Sequence, residues 1–188
     1  MRRFDTAKLA VSVFVASEAV FFGFLIAAYI YYAYFGATGP GPTAGNSLNP
    51  PRTLFFTICL IASSGTLWMA ERKLAGSERK EFRLWLAGTI FLGAVFIAGQ
   101  AMEYAGLISG RVTPERNLFG ATFFTLTGFH GFHVLCGLVA LTIFLILTFV
   151  RGFGQKEVSG IGAVAIYWHF VDVVWIVIFS LVYLTVWL

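Results

Sequence analysis

Six ionisable side chains stand inside long apolar stretches of this 188-residue chain: Glu18, Glu103, Asp172, His130, His133 and His169. No lysine or arginine stands with them at mid-stretch. Such groups are costly in hydrocarbon, and they mark places where side chains pair, relay protons or hold a ligand. His130 and His133 lie three apart in FFTLTGFHGFHVLCG, Phe123–Gly137, so on a helix they share a face. His169 and Asp172 repeat that spacing in YWHFVDVVW, Tyr167–Trp175. Glu18 sits about ten residues into the first apolar stretch, roughly 15 Å deep at a rise of about 1.5 Å per residue. Its helical neighbours Phe14, Phe21 and Phe22 offer it no hydrogen bond.

Several chemistries are open to these residues. Two histidines at this spacing could ligate a metal or haem, but no further histidine in that stretch and no cysteine cluster completes a ligand set. They could equally bond between helices and hold a bundle together. Glu18 could serve a proton relay or a structural pair with a histidine. Glu18, His130 or His133, and His169 are expected at similar depths, where they could meet across the bundle. Glu103, in GQAMEYAG, is expected nearer one surface. Trp168 and Trp175 flank Asp172 by about one helical turn, and Asp172 could accept from an indole N–H. Gly128, Gly131 and Gly137 around the histidines would let another helix approach closely.

The elements that must carry these residues are set by composition. Hydrophobic residues make up 59% of the chain, above the roughly half typical of a soluble domain. Five apolar runs emerge, near Leu9–Phe35, Thr53–Ala70, Leu84–Ile108, Leu118–Val150 and Gly160–Leu188. Each is long enough to cross a bilayer. The expectation is one all-α membrane domain over residues 1–188, a bundle of five transmembrane helices. The first run is read as a retained span, because it is too long for a signal-peptide core and no small-residue cleavage site ends it. Gly36–Arg52 reads as a loop, and Glu71–Arg83 as a solvated mixed-charge connector. Cys59 and Cys136 read as buried free thiols.

Basic residues set the orientation. Ten of the 13 lysines and arginines flank the runs on the N-terminal side, in the groups Arg2–Lys8, Arg72–Arg83 and Arg151–Lys156; Arg52, Arg111 and Arg116 lie on the other. The positive-inside rule then places the N-terminus in the cytoplasm and the C-terminus outside. The formal net charge of +4 follows this topology and implies no nucleic acid.

FFTLTGFHGFHVLCG resembles the FFxxTGFHGxHVxxG signature of subunit III of haem-copper oxidases, the cytochrome c oxidase subunit III family. YWHFVDVVW is similar to that family's last-helix signature, SEAVFF (Ser17–Phe22) to its SExxFF segment, and GQAMEY to a weaker Q-x-x-E-Y pattern. The four motifs stand in family order and span the chain. The resemblance implies an accessory subunit of a bacterial terminal oxidase, multi-pass in the cytoplasmic membrane. It implies a chain that is not itself catalytic and binds no metal, with haems and copper in partner subunits. It also implies direct packing on subunit I, a complex with subunit II and a small subunit IV, bound phospholipid, and support of proton uptake. Glu18 matches the family's buried, carbodiimide-reactive carboxyl. Arg151 is placed as a lipid-phosphate contact, with Trp168 and Trp175 at the lipid. The family's longer form has seven spans, and the match here starts at the third, which corresponds to a five-span bacterial form. Two rivals stand beside this reading: an accessory subunit of a nitric oxide reductase, and a self-contained proton channel or transporter. A redox enzyme in its own right is a third, against which the shortage of ligands counts.

Overall fold

Apolar length decides the architecture. A computed structural model describes residues 6–34, 48–115, 118–150 and 155–184, with backbone alone for 33–34, 155–159 and 184. Five helices follow one another: α1 (Thr6–Tyr34), α2 (Pro50–Ala75), α3 (Arg79–Ser109), α4 (Leu118–Val150) and α5 (Gln155–Phe179). The last runs into a π-helical turn, Ser180–Leu184. All five are long and apolar enough to cross a bilayer, and no strand occurs among the described residues.

Local chemistry sets the helix ends. Asn49 caps α2 by accepting from the Arg52 N–H at 3.3 Å, and Pro50 and Pro51 fill the first turn, where no N–H is needed. Glu71–Arg83 is mostly helical and not the open connector the sequence leads one to expect; only Gly76, Ser77 and Glu78 remain as a turn. Its Glu, Lys, Arg, Leu and Ala residues are good helix formers, and their charges can stay hydrated at a helix end. The turn closes with Glu78 N–H on the Lys73 carbonyl at 2.9 Å and Ser77 N–H on Leu74 at 3.0 Å. This is a Schellman arrangement with Ser77, at φ 62°, where glycine usually sits. The end of α3 repeats it with Arg111.

Helices α2 and α3 form a hairpin. Buried Thr53, Thr57, Leu60, Ser63, Leu67, Ala70 and Leu74 line one helix, and Phe82, Leu86, Thr89, Gly93 and Phe96 the other. Alternating steps of three and four residues keep each set on one face. Helix α4 packs on α3, and α5 packs against α1, α2 and α4. The most apolar stretch of α5 is 56% buried, that of α1 only 6%. Helix α5 is therefore the central column, and α1 leans on the seam between α4 and α5.

One close approach fixes that column. A Cβ at Gly137 of α4 would stand 2.7 Å from the Trp168 ring, and one at Gly93 of α3 would stand 2.9 Å from it. Two helices thus give up side-chain volume to seat one indole of α5. Gly131 has open space around it, and Gly128 meets only the Tyr104 hydroxyl at 3.7 Å. Of the three glycines expected to admit a helix, Gly137 is the one that does. Cys59 is half-buried and Cys136 is exposed, so the expectation of two buried thiols fails at Cys136.

Candidate functional site

Five of the six ionisable residues singled out in the apolar stretches, all but His130, fall into three clusters, each at a helix seam. In the first, His133 of α4 and Glu18 of α1 approach with Nε2 and Oε2 3.0 Å apart. His133 Nδ1 lies 2.7 Å from the Phe129 carbonyl oxygen. A carbonyl only accepts, so Nδ1 carries the hydrogen. One proton then remains for the line between Nε2 and Oε2, whichever atom holds it. The Tyr167 hydroxyl of α5 donates to the His133 carbonyl at 2.9 Å, and its ring stacks on the imidazole and on Phe14. Three helices meet at this joint.

The second cluster joins α2 to α5. Ser64 donates its hydroxyl hydrogen to Asp172 Oδ2, and Ser64 Oγ lies 2.8 Å from His169 Nδ1. Next to it, Trp168 Nε1 donates to Ser63 Oγ at 3.0 Å, and Trp175 Nε1 to Thr57 Oγ1 at 2.9 Å. These contacts share one antiparallel register. They also correct two expectations. Both indoles are fully buried, so neither Trp168 nor Trp175 faces lipid. Their acceptors are hydroxyls of α2, not Asp172. Buried indoles need an acceptor, and short Ser and Thr side chains supply one without the cost of a buried charge.

The third cluster sits where α5 widens into its π-turn. Glu103 of α3 accepts from Thr53 of α2 at 3.0 Å and from the Tyr183 hydroxyl at 2.7 Å. Tyr104 and Thr127 add a hydroxyl pair at 2.7 Å between α3 and α4.

His130 departs from the expectation. It is fully buried, and neither ring nitrogen has a hydrogen-bond partner. It stacks on Trp175 at 4.8 Å and meets Phe22 and Phe96 edge-on. His130 and His133 share a helix face in the loose sense of a three-residue step. The step nevertheless turns one imidazole among Phe22, Phe96 and Trp175 and the other onto the Glu18 carboxyl. Glu18 pairs with His133 alone, whereas the second and third clusters are joined along α2, where the Thr57 hydroxyl donates to the Thr53 carbonyl at 2.9 Å. Among the described residues, no three His, Cys, Asp or Glu side chains converge as metal ligands do. Arg151 lies outside the described residues. Arg83 of α3 is placed near the same end of α4: it donates to the Thr148 hydroxyl at 3.1 Å and to its carbonyl, and lies over Phe149.

Sequence reasoning missed Thr53, Thr57, Ser63 and Ser64. Their signal was present: Thr53, Thr57 and Ser63 continue at steps of three and four the stripe that also carries Leu60 and Leu67, with Ser64 beside it.

A family model described as cytochrome c oxidase subunit III matches residues 4–187. The chain is 36% identical to cytochrome c oxidase subunit 3 of Corynebacterium diphtheriae over 187 residues, covering 97% of this chain and 90% of that one. It is 34% identical to a probable cytochrome c oxidase subunit 3 of Nocardia farcinica, with the same coverage. Against the subunit 3 of Synechocystis it is 37% identical, over 90% of this chain and 71% of that one.

Proposed function

The chain belongs to the cytochrome c oxidase subunit III family, and from that premise we propose that it acts as the scaffold of one face of the oxidase, packed directly on subunit I. As a member it is a multi-pass protein of the bacterial inner membrane and an accessory subunit of a respiratory oxidase complex. In our reading it holds phospholipids against subunit I, sustains proton uptake there and carries no electrons itself. Subunit II and a small subunit IV complete the complex. We place the N-terminus in the cytoplasm and the C-terminus outside, following the bias of the basic residues. Arg151, just past α4, is the guanidinium offered to a lipid phosphate.

One observation carries this reading. Of the six ionisable side chains deep in the apolar stretches, all but His130 are bonded to another helix: Glu18 to α4, His133 to α1, Glu103 to α2, and His169 and Asp172 to α2. In hydrocarbon a polar side chain bonded across a seam holds helices together. These groups are spent on fixing a shape, and a fixed shape is what a supporting subunit contributes.

Glu18→Ala in the purified complex tests it. Haem content should stay at the wild-type level while activity decays faster during turnover. Unchanged lifetime together with unchanged lipid content would rule the supporting role out.

A further inference from the structure

We propose that the face of α5 carrying His169, Val173 and Ile176 seats a membrane-spanning helix of a neighbouring oxidase subunit, which presents an O–H or N–H donor to His169 Nε2. The inference rests on the reading of the chain as an accessory oxidase subunit.

Donor and acceptor geometry identifies the free atom. Ser64 has one hydroxyl hydrogen, and with Asp172 as a carboxylate it goes to Oδ2. The 2.8 Å contact between Ser64 Oγ and His169 Nδ1 therefore needs the hydrogen on Nδ1. A neutral imidazole then keeps a lone pair at Nε2. That atom makes no hydrogen bond among the described residues and is not among the buried unpaired atoms. His169 itself is only half-buried, so Nε2 looks out of the bundle.

Depth excludes water as the natural partner. His169 is the tenth residue of the span Gly160–Tyr183, about 15 Å from its start at about 1.5 Å per residue. The surface around it is apolar. Val173 and Ile176, four and seven residues on, share its face and are 59% and 43% exposed. Beside it on α2, Ile61, three residues from Ser64, is 45% exposed. Acyl chains carry no donor, and an acceptor facing them is left unsatisfied where no water can relieve it. A protein helix supplies both things this face lacks: apolar cover for Val173 and Ile176, and a donor at mid-depth. The ligand is specified as a donor, because a second acceptor would repel the lone pair.

A photo-crosslinking residue placed at Val173, in the full complex purified through a tag on another subunit, tests the proposal. The adduct should be with another oxidase subunit, and its yield should fall several-fold when His169→Leu is added. His169→Gln, which keeps an acceptor oxygen, should restore much of the yield. An adduct with lipid only, or with a second copy of this chain, overturns the proposal while the haem-bearing complex still contains the chain. A yield indifferent to His169→Leu overturns the role of Nε2. If the chain does not co-purify with haem at all, the accessory-subunit reading fails first and the proposal falls with it.

Discussion

His133 of α4 faces Glu18 of α1 across 3.0 Å, with its other ring nitrogen already committed to the Phe129 carbonyl. The contact has room for one proton between imidazole and carboxyl. It behaves as a neutral joint overall, whether written as acid and base or as an ion pair.

That geometry separates two substitutions. Glu18→Gln can turn its amide N–H toward Nε2 and keep a hydrogen bond, so it should lie within about 1 kcal/mol of the wild type. Glu18→Ala leaves Nε2 without a partner and should cost about 1–3 kcal/mol. Thermal release of the subunit from the complex measures both. Equal losses for Gln and Ala would show that the full ion pair holds α1.

Gly137→Ala should be more damaging than its single methyl suggests. The new Cβ would stand 2.7 Å from the Trp168 ring, which is also held by Gly93. Overpacking of this kind costs about 1–3 kcal/mol, against a helix-propensity gain of about 0.5–1 kcal/mol. Gly131→Ala, in open space, should be neutral or stabilising. Thermal unfolding in detergent compares them, and equal midpoints would contradict the packing.

His130→Phe should be tolerated. The ring lies in an aromatic cage with both nitrogens unpaired, so removing them removes no hydrogen bond. Replacing a buried unsatisfied polar group by an apolar one of similar shape is near neutral or stabilising. A midpoint lowered as far as that of His133→Phe would mean that His130 has a polar partner after all.

Ser77→Gly should stabilise the α2–α3 hairpin by about 1 kcal/mol, because Ser77 holds φ 62° and a left-handed residue with a Cβ costs about that much. Arg111→Gly should act the same way at the end of α3. Unfolding midpoints unchanged in both variants would show that neither turn limits stability.

The spans were legible because a bilayer demands an apolar stretch of fixed length, and the chain shows five. That Glu18 and His133 lie at one level was legible from helical rise alone. Their partners were not. A three-residue step leaves an angular difference that spacing cannot resolve, and it is this difference that sends His133 to α1 and His130 into the aromatic core. Ser63, Ser64 and Thr57 stayed unseen because hydroxyls are inconspicuous in apolar helices: they can bond their own helix carbonyl, as Ser63 does to Leu60. The indoles of Trp168 and Trp175 suited an interface by type. Only the slot made by Gly93 and Gly137 shows one of them, Trp168, to be a core wedge.

The thin hold on α1 has a consequence for biosynthesis. Glu18 and His133 are 115 positions apart in the chain, and Tyr167, which completes their joint, follows later still. A ribosome delivers α1 before α4, so the carboxyl enters the bilayer well before the imidazole that receives it exists. Helix α1 is thus secured only after α4 and α5 have followed it, and a nascent subunit stalled before α4 would carry an unmatched carboxyl in lipid. A chain halted at that stage would differ from the finished subunit in one readable way: an α1 not yet fastened.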